Sequence, residues 1–404
     1  MHAKSVARHL VTPSQPQAAH PPPPTSAAVV DADVPGAVTG ELERSLAEFT
    51  AYSRSLDPVF ATDVADRLAA FTLDGGSRIR PRFLWWAVRA CGGTDPHVAG
   101  ALRLAAALEL IQSCALVHDD VMDQSAVRRG RPSFHAQIAL RFPATAPPRA
   151  CGPSSFAQSV AVLAGDLALC WADDLAAGAD LDPAVRTEVL RIWRAMRTEM
   201  IAGQYLDLHG QATSSRSAGQ AIRTVCLKTA RYTVERPLAL GATLAGADEP
   251  TTRALTAAGR CAGIAFQLRD DLLGAFGDPE VTGKPSGDDI RSGKATYLLA
   301  LAQTRARATG ATDVVDLLQN RRGNSALSDP ELTRIRDALH STGAPAQVER
   351  HIERLTRASE RHLAAAHLHG PAARRLAALL RQIASPPRHT TPATGPAGHH
   401  GAAR

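Results

Sequence analysis

The chain has 404 residues, of which 45% are hydrophobic and only 4% aromatic, so it can build a sizeable core rich in helix-forming residues. Its formal net charge of +6 is dispersed, without a basic stripe alternating with aromatic residues, which excludes a typical nucleic-acid-binding protein. Six cysteines without a C-x-x-C pair indicate free thiols in a reducing compartment. No apolar run approaches the ~18 residues of a membrane span, and the N-terminus lacks a signal-like apolar region. We therefore expect a soluble, cytoplasmic protein without a transmembrane segment.

In chain order, the sequence predicts a tail, a long series of helices and a second tail. Residues 1–38 contain four consecutive prolines and few large apolar side chains, which predicts disorder, and residues 386–404 have a similar composition. Between them, over residues 39–385, helical periodicity dominates and no strand alternation persists, so the fold class is all-α. Pro237 interrupts one helical pattern and predicts a kink there. The predicted helices cover 40–71, 80–91, 98–122, 157–178, 183–208, 217–246, 250–276, 294–307, 328–342 and 346–384.

An acidic cluster ends the predicted helix 98–122. Asp119 and Asp123 are four residues apart and therefore lie on one helix face, with Asp120 to one side. Arg128 and Arg129 follow shortly afterwards. Carboxylates next to a basic turn indicate a site for a hard cation together with an anionic ligand. Mg²⁺ suits such a site because it binds through one or two carboxylates plus substrate phosphates.

A single acidic cluster often just faces water, but here a second copy follows. Asp270 and Asp271 also end an apolar helical run, and Lys284 lies downstream. Two such helix ends predict two halves of one metal–diphosphate cage. Lys228 adds another cation between them, which a cage for two diphosphates needs.

A glycine-rich turn, Gly75-Gly76-Ser77-Arg78-Ile79-Arg80, precedes the first acidic helix. Glycines that lead into a helix with two arginines make a plausible anion site, because the helix N-terminus presents free N–H groups. Alone, this pattern is more typical of an ordinary surface turn. It becomes evidence for an anion site only together with the motifs around it.

Taken together, the motifs resemble the trans-isoprenyl diphosphate synthase family, also called polyprenyl synthetases, and most resemble bacterial geranylgeranyl diphosphate synthases. They follow the family's order from about residue 40 to 384. The resemblance implies a single isoprenoid synthase bundle of helices around a deep central cavity, usually a homodimer. It implies Mg²⁺-dependent, head-to-tail condensation of an allylic diphosphate with isopentenyl diphosphate, with three metal ions. The matching motifs are GGSRIRP, LVHDDVMD with RRGRP, LAGDLAL, GQYLD, KTARYTVERP, FQLRDD and GKPSGDDIRSGKAT.

Carried over by position, the resemblance implies a role for each matching residue. The principal Mg²⁺ ligands would be Asp119, Asp123 and Asp270, with support from Asp120 and Asp271. The allylic diphosphate would be held by Arg128, Lys228 and Lys284. Isopentenyl diphosphate would be held by Arg80, Gln112 and Arg129. Oxygen dipoles directed at the reacting cation would come from Thr229 and Gln267, and Lys294 would help to close the mouth of the site.

Two positions depart from the family pattern. Ser77 stands where a lysine is usual, so one contact to isopentenyl diphosphate is lost or passes to Arg78 or a neighbour. Gly274 stands where the second acidic motif usually has a third aspartate. The residues that would compensate for it are Asp278, Asp288 or Asp289.

In this family, side chains below the first acidic motif set the product length. Cys114 and Ala115 lie one turn below Asp119 and are small, whereas Ile111 and Leu108 lie about 12 to 17 Å along the helix. That depth predicts a twenty-carbon product, geranylgeranyl diphosphate. A farnesyl synthase stays open, because a facing side chain at Trp171 would shorten the cavity, and a longer-chain synthase also remains an alternative.

Three other kinds of protein remain as alternatives. A related class I terpene cyclase would keep the metal cage but would not need the second-substrate residues. A non-catalytic partner subunit would be expected to lose aspartates from the first motif, and this chain keeps all three. A structural helical scaffold would explain none of the motifs.

Overall fold

The computed structural model describes residues 23–142, 153–213, 217–277, 287–291, 293–320 and 327–385. The helices of the first half are α1 Ala27–Ala32, α2 Val34–Leu56, α3 Pro58–Phe60, α4 Asp66–Leu73, α5 Ile79–Ala90, α6 Val98–Met122, α7 Phe134–Arg141, α8 Pro153–Ala177 and α9 Pro183–Ala212. Those of the second half are α10 Ala218–Val225, α11 Arg236–Leu244, α12 Glu249–Phe276, α13 Asp288–Arg291, α14 Tyr297–Ala308, α15 Thr312–Asn320, α16 Asp329–Ser341, α17 Ala344–Ala365 and α18 Gly370–Ala384. Between them lie two π-helical segments, Ala61–Ala65 and Cys226–Glu235, and a 3-10 turn, Asp95–His97.

The all-α fold class is confirmed, and long apolar periodicity located several helices within a residue or two. Two predicted helices are interrupted. The first breaks at Asp57, whose carboxylate accepts a hydrogen bond from the Phe60 backbone N–H at 2.7 Å and so caps the next helix. The last divides into α17 and α18, where His367 and Gly370 have positive φ angles. The kink predicted at Pro237 falls at the second residue of α11, where the π-helical segment passes directly into the α-helix.

The prediction of a disordered tail over residues 1–38 is wrong for residues 27–38, which form α1 and the start of α2. Val30 of α1 and Val34 and Val38 of α2 are all buried in the main core, so both helices pack against the rest of the domain. Asp33 begins α2 by accepting a hydrogen bond from the Gly36 N–H at 2.9 Å. The proline-rich composition masked this short apolar stripe. Residues 1–22 and 386–404 lie outside the described residues.

The core is built around α6, which packs against α2, α5 and α8. Among the described residues, one helix, Asp95–Met122, is long and apolar enough to cross a membrane by length and composition alone. However, 78% of its most apolar window is buried inside the protein. A helix that is apolar on all sides and surrounded by other helices is the core helix of a folded domain.

A small β-hairpin follows α6 and was not predicted, nor were the helices α7 and α15. Its strands are β1 Val127–Arg128 and β2 Arg131–Pro132, joined by a two-residue turn at Arg129 and Gly130. Both turn residues have positive φ, 55° and 75°, as the tightest hairpin turns require. The hairpin places Arg128 and Arg129 beside the end of α6, with their side chains in different surroundings.

The segment Cys226–Glu235 is pressed between α9 and α12. A Cβ on Gly203 of α9 would lie 2.4 Å from the Lys228 backbone nitrogen, and one on Gly263 of α12 would lie 2.6 Å from the Ala230 Cα. Only glycines allow the two helices to approach the segment so closely. π-Helical turns are rare and concentrate at functional sites, and this one carries Lys228 and Thr229.

Candidate active site

The three aspartates at the end of α6 have different environments. Asp119 and Asp123 are partly exposed, whereas the Asp120 side chain has no accessible surface. Asp120 Oδ1 accepts a hydrogen bond from Arg128 Nε at 2.9 Å. Burial raises the pKa of Asp120 above its usual range, although Arg128 opposes the shift. Asp120 therefore positions Arg128, and Asp119 and Asp123 are the carboxylates open to a ligand.

Lys228 links the first acidic motif to α9. Its Nζ donates to Asp119 Oδ1 at 3.2 Å and to Asp207 Oδ2 at 2.8 Å. Burial acts to lower the pKa of Lys228, but Asp207 and Asp119 outweigh it and hold the pKa above its usual value. Burial likewise acts to raise the pKa of Asp119, and Lys228 and Lys294 reverse that shift. The ammonium and this carboxylate therefore stay charged together.

Two residues of this contact network were missed from the sequence. Gln204 Nε2 donates to Asp119 Oδ1 at 3.0 Å, and Asp207 shares Lys228. Both belong to the GQYLD motif, which the resemblance included without assigning a role to it. The signal available in the sequence was a glutamine and an aspartate three residues apart, a spacing that places both on one helix face.

The second acidic motif, at the end of α12, is organised by Gln267. Thr229 Oγ1 donates to Gln267 Oε1 at 2.9 Å, and Gln267 Nε2 donates to Asp271 Oδ1 at 2.9 Å. The same amide lies 3.5 Å from Asp270 Oδ2. Burial, reinforced by the nearby charge of Asp289, raises the pKa of Asp271 to about 8. Asp270 is the more exposed of the pair and so the one available to a ligand.

Asp289 lies against Gly274, the position of the missing third aspartate. A Cβ on Gly274 would lie 2.2 Å from Asp289 Oδ2, so the carboxylate occupies the space of the absent side chain. The Gly287 N–H donates to the Gly274 carbonyl at 3.1 Å and holds this loop on α12. Of the three residues expected to compensate, Asp289 has this position; Asp278 and the side chain of Asp288 lie outside the described residues.

Lys294 lies between the two acidic motifs. Its Nζ is 3.8 Å from Asp123 Oδ2 and 3.8 Å from Asp289 Oδ1. Burial acts to lower the pKa of Lys294, but Asp289 and Asp123 raise it above its usual value. Lys294 thus lies between the first acidic motif and Asp289, the carboxylate that is held against α12. Lys284, the other predicted cation, lies outside the described residues.

A cluster of arginines lies beside the first motif. The Arg129 guanidinium packs on the glycine turn, because a Cβ on Gly75 would lie 1.4 Å from its Nη1. Burial lowers the pKa of Arg129, and Glu109 opposes that shift. Arg80 Nη2 donates to Thr233 Oγ1 at 2.9 Å, and Gln112 lies on α6 close by. Arg80, Gln112 and Arg129, predicted to share a ligand, come from three different elements that meet here.

Arg78 is not free to replace the lysine that is absent at Ser77. It is buried, and its Nη1 lies 2.5 Å from Glu109 Oε2. The same Nη1 also donates to the Thr72 carbonyl, and Nη2 donates to the Leu73 carbonyl, each at 3.1 Å. The suggestion that Arg78 takes over the substrate contact is therefore wrong, because a structural ion pair consumes its donors.

The four predicted floor residues differ in exposure. Ala115 is partly exposed, whereas Cys114, Ile111 and Leu108 are buried in the main core. Trp171 of α8 belongs to the same cluster and stacks on Phe49 with ring centroids 5.1 Å apart. On this side of α6, the predicted floor residues that lie further from Asp119 than Ala115 are therefore buried.

Acidic helix ends, paired lysines and an adjacent arginine cluster in an all-α fold define a class of helical enzymes that act on diphosphates.

A family model for polyprenyl synthetases matches residues 63–330. The chain is 32% identical to a geranylfarnesyl diphosphate synthase of Aeropyrum pernix, over 70% of this chain and 83% of that one. It is 35% identical to a farnesyl diphosphate synthase of Geobacillus stearothermophilus, over 66% and 85%.

A solved structure gives the same result. The crystal structure of a geranylgeranyl pyrophosphate synthase from Corynebacterium glutamicum, complexed with isoprenyl diphosphate and magnesium, is 37% identical to this chain. It superposes with a TM-score of 0.80 and covers 87% of this chain and 98% of that chain. The chain belongs to the polyprenyl synthetase family. It is a prenyltransferase that makes prenyl diphosphates.

Proposed function

We propose that this prenyl diphosphate synthase joins an allylic diphosphate head-to-tail to isopentenyl diphosphate, uses Mg²⁺, and releases geranylgeranyl diphosphate. The observation that carries the proposal is the position of Lys294, 3.8 Å from carboxylates of both halves. Asp123 and Asp289 lie 166 residues apart in the chain, yet they face one space. In a site where carboxylates alternate with ammonium groups, the ammonium groups can bind a polyanion and the carboxylates can bind its counter-ions.

The carboxylates present fit Mg²⁺. Asp119, Asp123 and Asp270 are partly exposed oxygen donors, whereas Asp120 is committed to Arg128. A few carboxylates that are open to a ligand suit an ion that completes its coordination with water and substrate phosphates. Bound Mg²⁺ would neutralise the charge that develops on the leaving diphosphate. Three ions remain a prediction from the resemblance.

The chain's own residues would assist each stage of the reaction. The allylic C–O bond breaks and its electron pair leaves with the diphosphate, whose charge is stabilised by Lys228, Lys294 and Arg128. The Thr229 hydroxyl donates a hydrogen bond to the Gln267 amide oxygen, which fixes both side chains, and their oxygen dipoles would stabilise the developing cation. The double bond of isopentenyl diphosphate then forms the new C–C bond, and a proton is lost. Arg80, Gln112 and Arg129 would hold its diphosphate during this step.

The twenty-carbon product is supported by the exposure of the α6 side chains. A chain that grows past the small, partly exposed Ala115 would next meet Ile111 and Leu108, which have no accessible surface. These two lie ~12 and ~17 Å below Asp119 along the helix. An aromatic side chain at residue 115 would close the path one turn earlier.

The product length is tested with purified protein, isopentenyl diphosphate, Mg²⁺ and either dimethylallyl, geranyl or farnesyl diphosphate. Products are dephosphorylated and sized by mass spectrometry. We expect a dominant twenty-carbon alcohol, and Ala115→Phe should shift it to fifteen carbons. A fifteen-carbon or much longer product from the unchanged protein would reject the floor, and an unchanged product spectrum in Ala115→Phe would do the same.

We also propose a homodimer and a cytoplasmic location. Large apolar side chains on α8 and α9 are exposed in the single chain, among them Leu163 (60%), Ile201 (59%) and Tyr205 (62%). Such a patch is typical of a protein interface, and a second copy is the partner expected in this family. Sedimentation of the wild-type protein should give a dimer, and the double variant Leu163→Arg with Ile201→Arg should give a monomer.

The five cysteines within the described residues are free, which supports the proposed location in a reducing compartment.

A further inference from the structure

Tyr232 lies beneath the second-substrate residues but was given no role from the sequence. It belongs to the π-helical segment Cys226–Glu235, and its side chain is 3% exposed. The Arg80 guanidinium carbon lies 4.4 Å from the centre of its ring, which is cation–π contact. Its hydroxyl donates to Gln112 Oε1 at 3.0 Å. One buried side chain therefore contacts two of the three residues expected to hold isopentenyl diphosphate.

Arg80 is held with donors to spare. The ring lies against its guanidinium, and Nη2 donates to Thr233 Oγ1 at 2.9 Å. In the part of the chain that the structure describes, its buried Nε has no acceptor. The ring contact and the Thr233 hydrogen bond together fix the plane of the guanidinium, as a directed contact to an anionic oxygen requires.

Gln112 is oriented by the same tyrosine. Because the hydroxyl donates to Oε1, the carbonyl end of the amide points to Tyr232 and its N–H₂ end points elsewhere. An amide without this contact could turn its oxygen, an acceptor, towards an anion. The hydrogen bond therefore holds the Gln112 side chain in one orientation, with its N–H₂ end directed away from Tyr232.

We propose that Tyr232 is a positioning residue for isopentenyl diphosphate. It fixes the Arg80 guanidinium by stacking and the Gln112 amide by its hydroxyl, and so offsets the contact that Ser77 does not supply. This need is specific to the chain, because Ser77 is neutral and Arg78 is committed to Glu109. The inference rests on the proposed function, since it assigns the second substrate to this cluster.

The test compares Tyr232→Phe, which keeps the ring and loses the hydroxyl, with Tyr232→Leu, which loses both. Loss of one hydrogen bond should raise the KM for isopentenyl diphosphate about fivefold in Tyr232→Phe. The KM should rise further in Tyr232→Leu, while the KM for the allylic diphosphate stays unchanged in both. Tyr52→Phe, at a side chain that is 67% exposed, is the matched control.

A double-mutant cycle separates positioning from a general structural effect. If the hydroxyl acts through Gln112, Tyr232→Phe should have little further effect on the KM in a Gln112→Ala background. Equal, additive losses, or an equal rise in KM for both substrates, would overturn the proposal. Calorimetric titration with isopentenyl diphosphate alone reports the same affinities without turnover. Wild-type protein that binds isopentenyl diphosphate but condenses no primer would contradict the proposed function, while the Tyr232 comparison would still be decided by binding.

Discussion

Gly75→Ala tests the position of Arg129 through a single added methyl group. The new Cβ would lie 1.4 Å from Arg129 Nη1 and 2.4 Å from its Cζ. Contacts between such atoms are favourable only near ~3.5 Å, so the guanidinium must retreat by about 2 Å. Gly75 does not have a positive φ angle, and the displaced atoms end a flexible side chain. The protein should therefore fold normally while Arg129 moves.

The expected consequence is a loss of substrate affinity. Hydrogen bonds to a charged group contribute roughly 1.5–3 kcal/mol, so removing Arg129 from the diphosphate should raise the KM for isopentenyl diphosphate about 10- to 150-fold. The KM for the allylic diphosphate should stay the same, because Arg128 and Lys228 do not touch Gly75. A steady-state assay with each substrate varied in turn gives both values.

Gly219→Ala is the matched control. An added Cβ at Gly219, in α10, meets nothing within 4 Å and the position has no positive φ. It should leave both KM values unchanged and stabilise the helix by up to ~1 kcal/mol. If Gly75→Ala keeps its melting temperature and its KM for isopentenyl diphosphate, then Arg129 does not bind that substrate. A rise in KM for both substrates would show a wider distortion and refute the argument equally.

Three further predictions use other parts of the site. Gly274→Asp should weaken Mg²⁺ binding, measured by calorimetry with inorganic diphosphate, because the new side chain would collide with Asp289. Adding Asp289→Gly should restore the binding. Tighter Mg²⁺ binding in the single variant would show that Asp289 does not take the place of the missing aspartate. Arg78→Met should cost about 3–5 kcal/mol in urea unfolding, since Glu109 would be left buried without its partner; a loss below ~1 kcal/mol would contradict this. Ser77→Lys should lower the KM for isopentenyl diphosphate several-fold in the same assay and leave the allylic KM unchanged, whereas an unchanged KM would mean that a lysine at this position does not reach the substrate.

The helices that carry the acidic motifs could be predicted because their signals are local. The helix predicted over 98–122 coincides with α6, and the one predicted over 250–276 begins one residue late. Apolar periodicity over more than twenty residues is a strong signal. The spacing of Asp119 and Asp123 likewise follows directly from helix geometry.

The contacts across the site could not be predicted in this way. Lys228 meets Asp207 21 residues away, and Tyr232 meets Gln112 120 residues away. Such pairs depend on how α9, α12 and the π-helical segment pack, which a single sequence does not encode as a pattern. The glycines at 203 and 263 were visible, but their meaning appears only when the opposing backbone is present.

Burial was the second property hidden from the sequence. Asp119 and Asp120 are neighbours with the same chemistry, yet one faces the site and the other is wholly buried beneath Arg128. Similarly, Arg78 and Arg80 are two residues apart, yet Arg78 is paired with buried Glu109 whereas Arg80 stacks on Tyr232. The role of an ionisable side chain is set by its surroundings, which long-range packing supplies.

The most direct test of the account is the release of inorganic diphosphate from geranyl diphosphate by the purified protein with Mg²⁺, measured with and without isopentenyl diphosphate. We predict release only when both substrates are present, with one diphosphate freed for each five-carbon unit added and a twenty-carbon diphosphate as the final product. Release without isopentenyl diphosphate, together with a hydrocarbon product, would contradict the condensation and identify a cyclase instead.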